Sequence, residues 1–564
     1  MENKTPWTKF YGAIRENLDY PDTSISGAVF SACVKHPDST ALIYMGKRIS
    51  YSRLWEKTLG FSKVFSSLGI EKGENVAVCL PNIPEAVYTL YGLNRMGAVA
   101  SFLHPLSAEA ELDCYLEELG ARFVVTLDSL YEKFSLKTRE RKDISFLVVC
   151  AGDSLPLVKR CVYNIKTAKS SNSKIYRDNV LRISKLEKAQ KKTEIVSVNV
   201  SSEDTAVVLF SGGTTGVPKG VMLSNFSLNA MAMQTAEMSG FDICGKSMLA
   251  AMPMFHGFGL AVCVHTPLIG GANCILVPRF TVNEYAKLIK KYRPNFIAGV
   301  PTLFEALTSN AYFDNVKLDC LLGVFSGGDN LPVALKKKFD GYLKGHGADV
   351  KIREGYGCTE CVTACCLTPA NFEKEGSIGI PFPDMRFKIC SVNTTEEVPF
   401  GTDGEICISG PTLMKGYLNH QAESEDALRV HADGRVWLHT GDIGMMDEDG
   451  FVYFRHRIKR VIVTSGYNVF PSQIEKVIES HPDVEMSCVI GISDPYRMKR
   501  IKAYVVTKDD IVDKERIRRE LFEYLRLNVA RYAVPKEIEF LSELPRTKVG
   551  KVDYAALETM NEKE

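Results

Sequence analysis

The chain has no surplus of charge of either sign: 69 basic residues against 68 acidic ones leave a formal net charge of +1. The basic field that draws a protein to nucleic acid is therefore missing, and no basic patch interleaved with aromatics replaces it, so nucleic acid is not an expected partner. An unbroken apolar run is missing too. The most apolar stretch, Phe255 to Val277, is interrupted by His256, His265, Pro267 and a Gly270-Gly271 pair, which suits a buried core and not a transmembrane span. The opening MENKTPWTKFYGAIREN holds no apolar segment followed by a cleavage site, so it does not read as a secretory signal. A cytoplasmic protein is expected, at most peripheral at a membrane.

Without a secretory signal, the 16 cysteines read as reduced thiols and not as a disulfide framework. Cys358, Cys361, Cys365 and Cys366 do include a CxxC, a spacing used for zinc and for redox chemistry. No second CxxC accompanies it, and the sequence favours free thiols there.

What is present is a large globular chain. Its 564 residues exceed one compact core, and 45% hydrophobic with 24% charged residues is the balance of a folded protein. Over the first four hundred residues, short β-branched runs alternate with amphipathic helices. NVAVCLP (Asn75 to Pro81) precedes the helical EAVYTLYGLNRMGAV, and RFVVTL (Arg122 to Leu127) follows another helix. The fold class expected is α/β, with layered and largely parallel sheets. The lysine-rich stretch from Tyr131 to Lys192 reads in part as solvated surface.

Near Arg457 the pattern changes to a smaller α/β module. Ser472 and Glu475 form a capping box ahead of Ile474, Val477 and Ile478 on one helical face. Two strand-like runs follow, Ser487 to Ser493 and Ile501 to Val506, then a helix with Ile517, Leu521 and Leu525 in register. The expected division is a large domain over 1–456 and a small one over 457–564.

The strand-like TAVVLF (Thr205 to Phe210) runs into SGGTTGVPKG (Ser211 to Gly220). Glycines 212, 213 and 216 let the backbone approach an anion, the hydroxyls of Ser211, Thr214 and Thr215 donate to it, and Lys219 adds charge. The loop reads as a polyphosphate cradle. A Walker loop needs Gly-Lys-Ser/Thr entering a helix, whereas here Pro218 precedes Lys219 and Gly220 follows it; the spacing also differs from GxGxxG. A plain glycine turn would leave three hydroxyls and a lysine without a purpose.

On this loop the chain resembles the adenylate-forming superfamily of acyl-CoA synthetases, luciferases and peptide-synthetase adenylation domains. Gly212, in place of the usual serine, is similar to bacterial long-chain fatty acyl-CoA synthetases. The resemblance extends from about residue 25 to the end and implies an ATP-dependent, AMP-forming acid-thiol ligase. Its substrates would be a carboxylic acid, ATP and coenzyme A, with Mg²⁺ as cofactor, an acyl-carrier protein as the alternative acceptor, and a monomer or homodimer as the assembly.

By the same resemblance, EGYGCTE (Glu354 to Glu360) supplies Tyr356 against the adenine, Thr359 near the α-phosphate and Glu360 on Mg²⁺, with Gly355 and Gly357 in the nucleotide site. Gly328 and Asp329 of SGGDNLP complete the nucleotide site, with Thr215 and Lys219 on the phosphates. LHTGDIG carries Asp442, which with Arg457 would hold the ribose. PRTKVGKVDY carries Lys551 as the lysine that stabilises the transition state. Lys459 is the implied hinge of a mobile C-terminal domain, and Gly466 the implied coenzyme A contact. MPMFHGFGL, GVPTLF and SGGDNLP would give an apolar acyl lining from Phe258, Val300, Gly327 and Cys361, with His256 at its edge. Amino-acid adenylation domains place an aspartate near Phe255-His256 to meet the substrate ammonium. None stands there, which favours an acid without an amine.

Overall fold

The computed structural model describes residues 5–150, 152–168, 179–190, 198–211, 219–314, 316–458, 462–464, 467–469, 471–494, 498–508, 513–529, 533–547 and 552–562. They fall into two units. One comprises Met1–Phe387, Cys407–His439 and Asp447–Val452; the other comprises Lys388–Ile406, Thr440–Met446 and Tyr453–Glu564. The second unit thus takes in two segments that precede Arg457.

The first unit is built from strand-helix-strand steps. Strand Asn75–Cys79 is followed by helix Pro84–Asn94, whose first-turn proline has no amide to leave unsatisfied. Every residue of that helix is buried, its polar Glu85, Tyr91 and Asn94 bonded to Ser154, His265 and Asn225. The helix stops short of the GAV end of its sequence segment. Gly97 turns the chain at φ +71° and Val99 opens the next parallel strand, Val99–Phe102.

Repeating such steps gives an eight-stranded sheet in the order 416–417, 219–224, 205–211, 99–102, 75–79, 123–127, 145–149, 180–182. Strand Thr205–Ser211 pairs parallel with Val99–Phe102 and antiparallel with Lys219–Ser224. A nine-stranded sheet runs in the order 380–381, 366–367, 352–356, 323–326, 296–299, 247–250, 273–276, 40–44, 47–50, parallel through its centre. Its middle strands are buried on both faces, with Ile297, Ala298, Val324 and Ile352 fully covered, as parallel sheets between helices require.

The lysine-rich stretch contributes two of these strands, Ser145–Val149 and Val180–Arg182, with Phe146 and Leu147 wholly buried. The apolar stretch after Phe255 becomes helical turns over Phe258–His265 and Thr266–Ile269, then strand Asn273–Leu276. His265 within it is bonded to Tyr91 Oη at 3.1 Å and Asn229 Oδ1 at 3.0 Å, and burial pushes its pKa down to about 3. Among the described residues no helix is long and apolar enough to cross a membrane.

In the second unit, strand Val484–Asp494 pairs antiparallel with Met498–Thr507, which pairs parallel with Glu537–Leu541. Helices Pro471–Glu479 and Lys514–Asn528 supply Ile474, Ile478, Ile517, Leu521 and Leu525 to its core. The helix already begins at Pro471, which puts Ser472 inside the first turn and not at the cap position where the expected capping box would have it, and the Glu475 carboxylate accepts the Val489 amide at 2.8 Å. Proline suits the first helical position.

Candidate nucleotide and acyl site

The ends of the expected phosphate loop are fixed by strand pairing. Ser211 closes one strand, Lys219 opens the next, and the two residues are register partners. The residues between them, 212–218, lie outside the described residues, and with them Gly213, Thr214, Thr215 and Gly216.

Lys219 Nζ stands 5.2 Å from the centre of the Tyr417 ring and 3.7 Å from Glu423. The Tyr417 hydroxyl donates to Glu360 Oε1 at 2.9 Å, and the Glu360 carbonyl accepts the Met414 amide at 2.8 Å. Three chain segments thus meet in one polar corner. They do so because the short strand Gly416–Tyr417 pairs with Met222 and Val221, on the strand that Lys219 opens. Burial, then the charge of Glu360, hold the Tyr417 phenol well above its usual pKa, so it is the donor in that bond. Glu360 is half-buried and offers carboxylate oxygens, the donor type a hard divalent cation prefers.

A second constellation surrounds Gly327. A Cβ at this position would lie 3.4 Å from the Gly355 carbonyl oxygen and 3.7 Å from Phe258 Cε1, and one at Gly328 would lie 3.6 Å from Val300 Cγ1. Gly328 takes φ +86°, a conformation open to glycine. The expected acyl residues Phe258, Val300 and Gly327 are therefore neighbours. Cys361 is fully buried, one residue beyond Glu360. His256 accepts the Phe258 amide on Nδ1 at 3.2 Å, which places the ring proton of the neutral form on Nε2.

Strand Ile352–Tyr356 runs into the segment that carries Glu360, and Glu354 on it holds the Gly327 loop. Its carboxylate accepts the Leu331 amide at 3.0 Å, and burial raises its pKa to about 7. The loop carrying Gly327, Gly328 and the exposed Asp329 is thereby fastened beside Gly355 and Tyr356. The Ser326 hydroxyl, 1% exposed, has no hydrogen-bond partner among the described residues, so a polar ligand beside this loop would satisfy it.

In the second unit, Asp442 is almost wholly covered, and Arg457 Nε meets its Oδ1 at 3.0 Å while the Arg457 side chain stays half-exposed. The structure thus brings these two residues together. Lys459, Gly466 and Lys551 lie outside the described residues.

A model of the AMP-binding enzyme matches residues 29–418, and one of the AMP-binding enzyme C-terminal domain matches residues 473–551. The chain belongs to the AMP-binding enzyme family. A long-chain-fatty-acid–CoA ligase of Bacillus subtilis is 34% identical to this AMP-binding enzyme over 567 residues, covering 98% of the chain and 97% of that protein. A long-chain-fatty-acid–CoA ligase of Salmonella typhimurium is 30% identical, covering 92% and 91%. The structure of ATP-bound MatB from Rhodopseudomonas palustris matches with a TM-score of 0.82 at 22% identity, over 96% of this chain and 99% of that one. That likeness is one of fold: a large unit of mostly parallel sheets and a smaller α/β unit.

Two residues of this AMP-binding enzyme escaped the reading of its sequence. Tyr417 lies in MKGYLN, with no pattern linking it to Glu360; only the pairing of its short strand brings it there. Glu354 was visible as the first letter of EGYGCTE, but its bond to Leu331 depends on two parallel strands lying side by side.

Proposed function

We propose that this AMP-binding enzyme is an ATP-dependent acyl-CoA ligase acting on a medium- or long-chain fatty acid. The observation that carries the proposal is the segment 355–361, which brings Glu360 to the Lys219–Tyr417 corner near one end and meets the Phe258–Val300–Gly327 wall through Gly355 at the other. Polyphosphate needs the first environment and an acyl chain the second, where each buried methylene is worth about 0.8 kcal/mol.

In the first half-reaction the substrate carboxylate attacks the α-phosphorus of ATP and pyrophosphate leaves, giving an acyl-adenylate. In the second, the coenzyme A thiol attacks the acyl carbonyl and AMP leaves. Glu360 would hold Mg²⁺, which when bound neutralises phosphate charge. Lys219 balances charge at the mouth of the loop, and Tyr417 fixes the Glu360 carboxylate. We assign Asp442 and Arg457 to the ribose, Lys551 to the charge that builds on the α-phosphate during adenylation, Lys459 to the hinge and Gly466 to the coenzyme A step. Cations placed where charge develops stabilise the transition state more than the ground state, which lowers the barrier.

The test is AMP release from a panel of acids with ATP and Mg²⁺, with and without coenzyme A. Thioester formed fastest from medium or long chains is the expected result. No AMP from any acid sinks the proposal, and AMP without a coenzyme A thioester shifts the acceptor to an acyl-carrier protein. Lys551→Ala is expected to block adenylation while sparing thioester formation from added acyl-adenylate. Equal loss of both steps contradicts a domain that serves them in turn.

A further inference from the structure

Thr359 and Glu360 sit between two cysteines, and the structure brings those cysteines together. Thr359–Cys361 is a single 3₁₀ turn in which the Cys361 amide donates to the Cys358 carbonyl at 3.2 Å. With three residues per turn, positions i and i+3 eclipse. The Sγ atoms of Cys358 and Cys361 accordingly lie 3.7 Å apart. Cys358 is partly exposed and Cys361 fully buried, so a small oxidant reaches Cys358 first.

Cys361 has little room to move. Its sulfur accepts the Cys358 amide at 3.4 Å and contacts Cys365 Sγ at 3.6 Å. The next residue, Val362, takes φ +66° and ψ −58°, and the Thr363 amide closes onto the Cys361 carbonyl at 2.8 Å. This is the strained hand of the γ-turn, adopted here by a β-branched residue, and such strain persists only where packing enforces it. Glycines do so on both sides: a Cβ at Gly257 would lie 1.9 Å from the Val362 oxygen, and one at Gly357 would lie 1.9 Å from the Thr363 oxygen. Bringing the sulfurs to the about 2 Å of a disulfide therefore displaces Cys358 and the Thr359–Glu360 spacer, not the turn that follows.

We propose that Cys358 and Cys361 are a redox modification site, joined by a hydroperoxide into a reversible disulfide that switches off adenylation. The bond stands on the geometry of the thiols; its consequence rests on the reading of Glu360 given above. The Cys358 thiol gives up its proton and the thiolate attacks hydrogen peroxide; the O–O bond breaks, a sulfenic acid forms, and the departing hydroxide takes up that proton as water. The Cys361 sulfur then attacks the Cys358 sulfur, the S–O bond breaks, and the departing hydroxide takes the Cys361 proton as a second water. The dithiol gives up two electrons and the hydroperoxide accepts them.

The test treats the full chain with hydrogen peroxide, alkylates it, and maps peptides by mass alongside AMP release and calorimetric Mg-ATP binding. A Cys358–Cys361 bridge is expected, with adenylation falling on the order of 10²-fold, the loss a misplacement of about 1 Å can cause, and returning with dithiothreitol. Cys358→Ser is expected to keep its unoxidised turnover and lose the response, while Cys365→Ser retains the bridge. A bridge from Cys361 to Cys365, no bridge while other thiols oxidise, or a bridge that leaves turnover and Mg-ATP affinity unchanged overturns the switch. No AMP release from the unbridged chain would count against the ligase reading instead, and the bridge would still be judged by mass and by Mg-ATP binding.

Discussion

The polar corner at Glu360 and the apolar wall at Gly327 are built on one segment by opposite means. The corner is made by adding partners: Tyr417 brings a hydroxyl to Glu360, and its ring carries the Lys219 ammonium. The wall is made by bare contact: glycines at 327 and 328 leave room beside Phe258 and Val300 that an added methyl would fill only at ordinary contact distance. The corner should thus be sensitive to losing one atom, whereas the wall should register a gained one in the fit of the acyl chain more than in stability. Hydrogen-bonded charge tolerates no vacancy, and volume added to a pocket is felt first by its ligand.

The sharpest test of the corner is Glu360→Gln, expected to cut AMP release by about 10²–10³-fold while the denaturation midpoint stays put; a stability loss in its place would make Glu360 a structural group. Adding a methyl at Gly257 should be the severest change in packing. Gly257→Ala meets the Val362 oxygen head-on, and a destabilisation of about 3 kcal/mol is expected in urea unfolding, with Gly245→Ala as a comparison that meets no neighbour but carries its own φ +70° strain. Tyr417→Phe comes next, with Mg-ATP affinity expected to fall about tenfold, the usual cost of losing a group that orients a metal ligand. An unchanged affinity would show that Glu360 needs no help. Gly327→Ala should be mildest, because its new methyl lies at ordinary contact distance from Phe258. KM for long-chain acids is expected to rise more than KM for short ones, with less than about 1 kcal/mol lost in stability; an equal rise would move the acyl chain off this wall.

Much of this was legible in the sequence, unevenly so. The strands at Asn75 and Thr205 and the helix through Ile517, Leu521 and Leu525 were readable, because local hydrophobic period reports local structure. Three readings were less complete. The helix starts at Pro471, which puts Ser472 inside it and not at its cap. Of the two strands within the lysine-rich stretch, Val180–Arg182 was hidden because it is a three-residue strand at the sheet edge, too short to show a pattern. The cysteine cluster looked like ordinary free thiols, since nothing in a CxxC spacing says that a 3₁₀ turn will eclipse its two sulfurs.

The sequence by itself determined the α/β class, the order of the motifs and most of the chemistry-bearing residue types, because a loop, a strand or a signature is contiguous and carries its own pattern. Tertiary structure alone decided that Tyr417 would bind Glu360, that Glu354 would fasten the Gly327 loop, and that Gly257 and Gly357 would hold a strained turn behind Cys361. Each of those depends on atoms far apart in the chain, and their meeting is fixed by sheet register and close packing, which no local run of residues records.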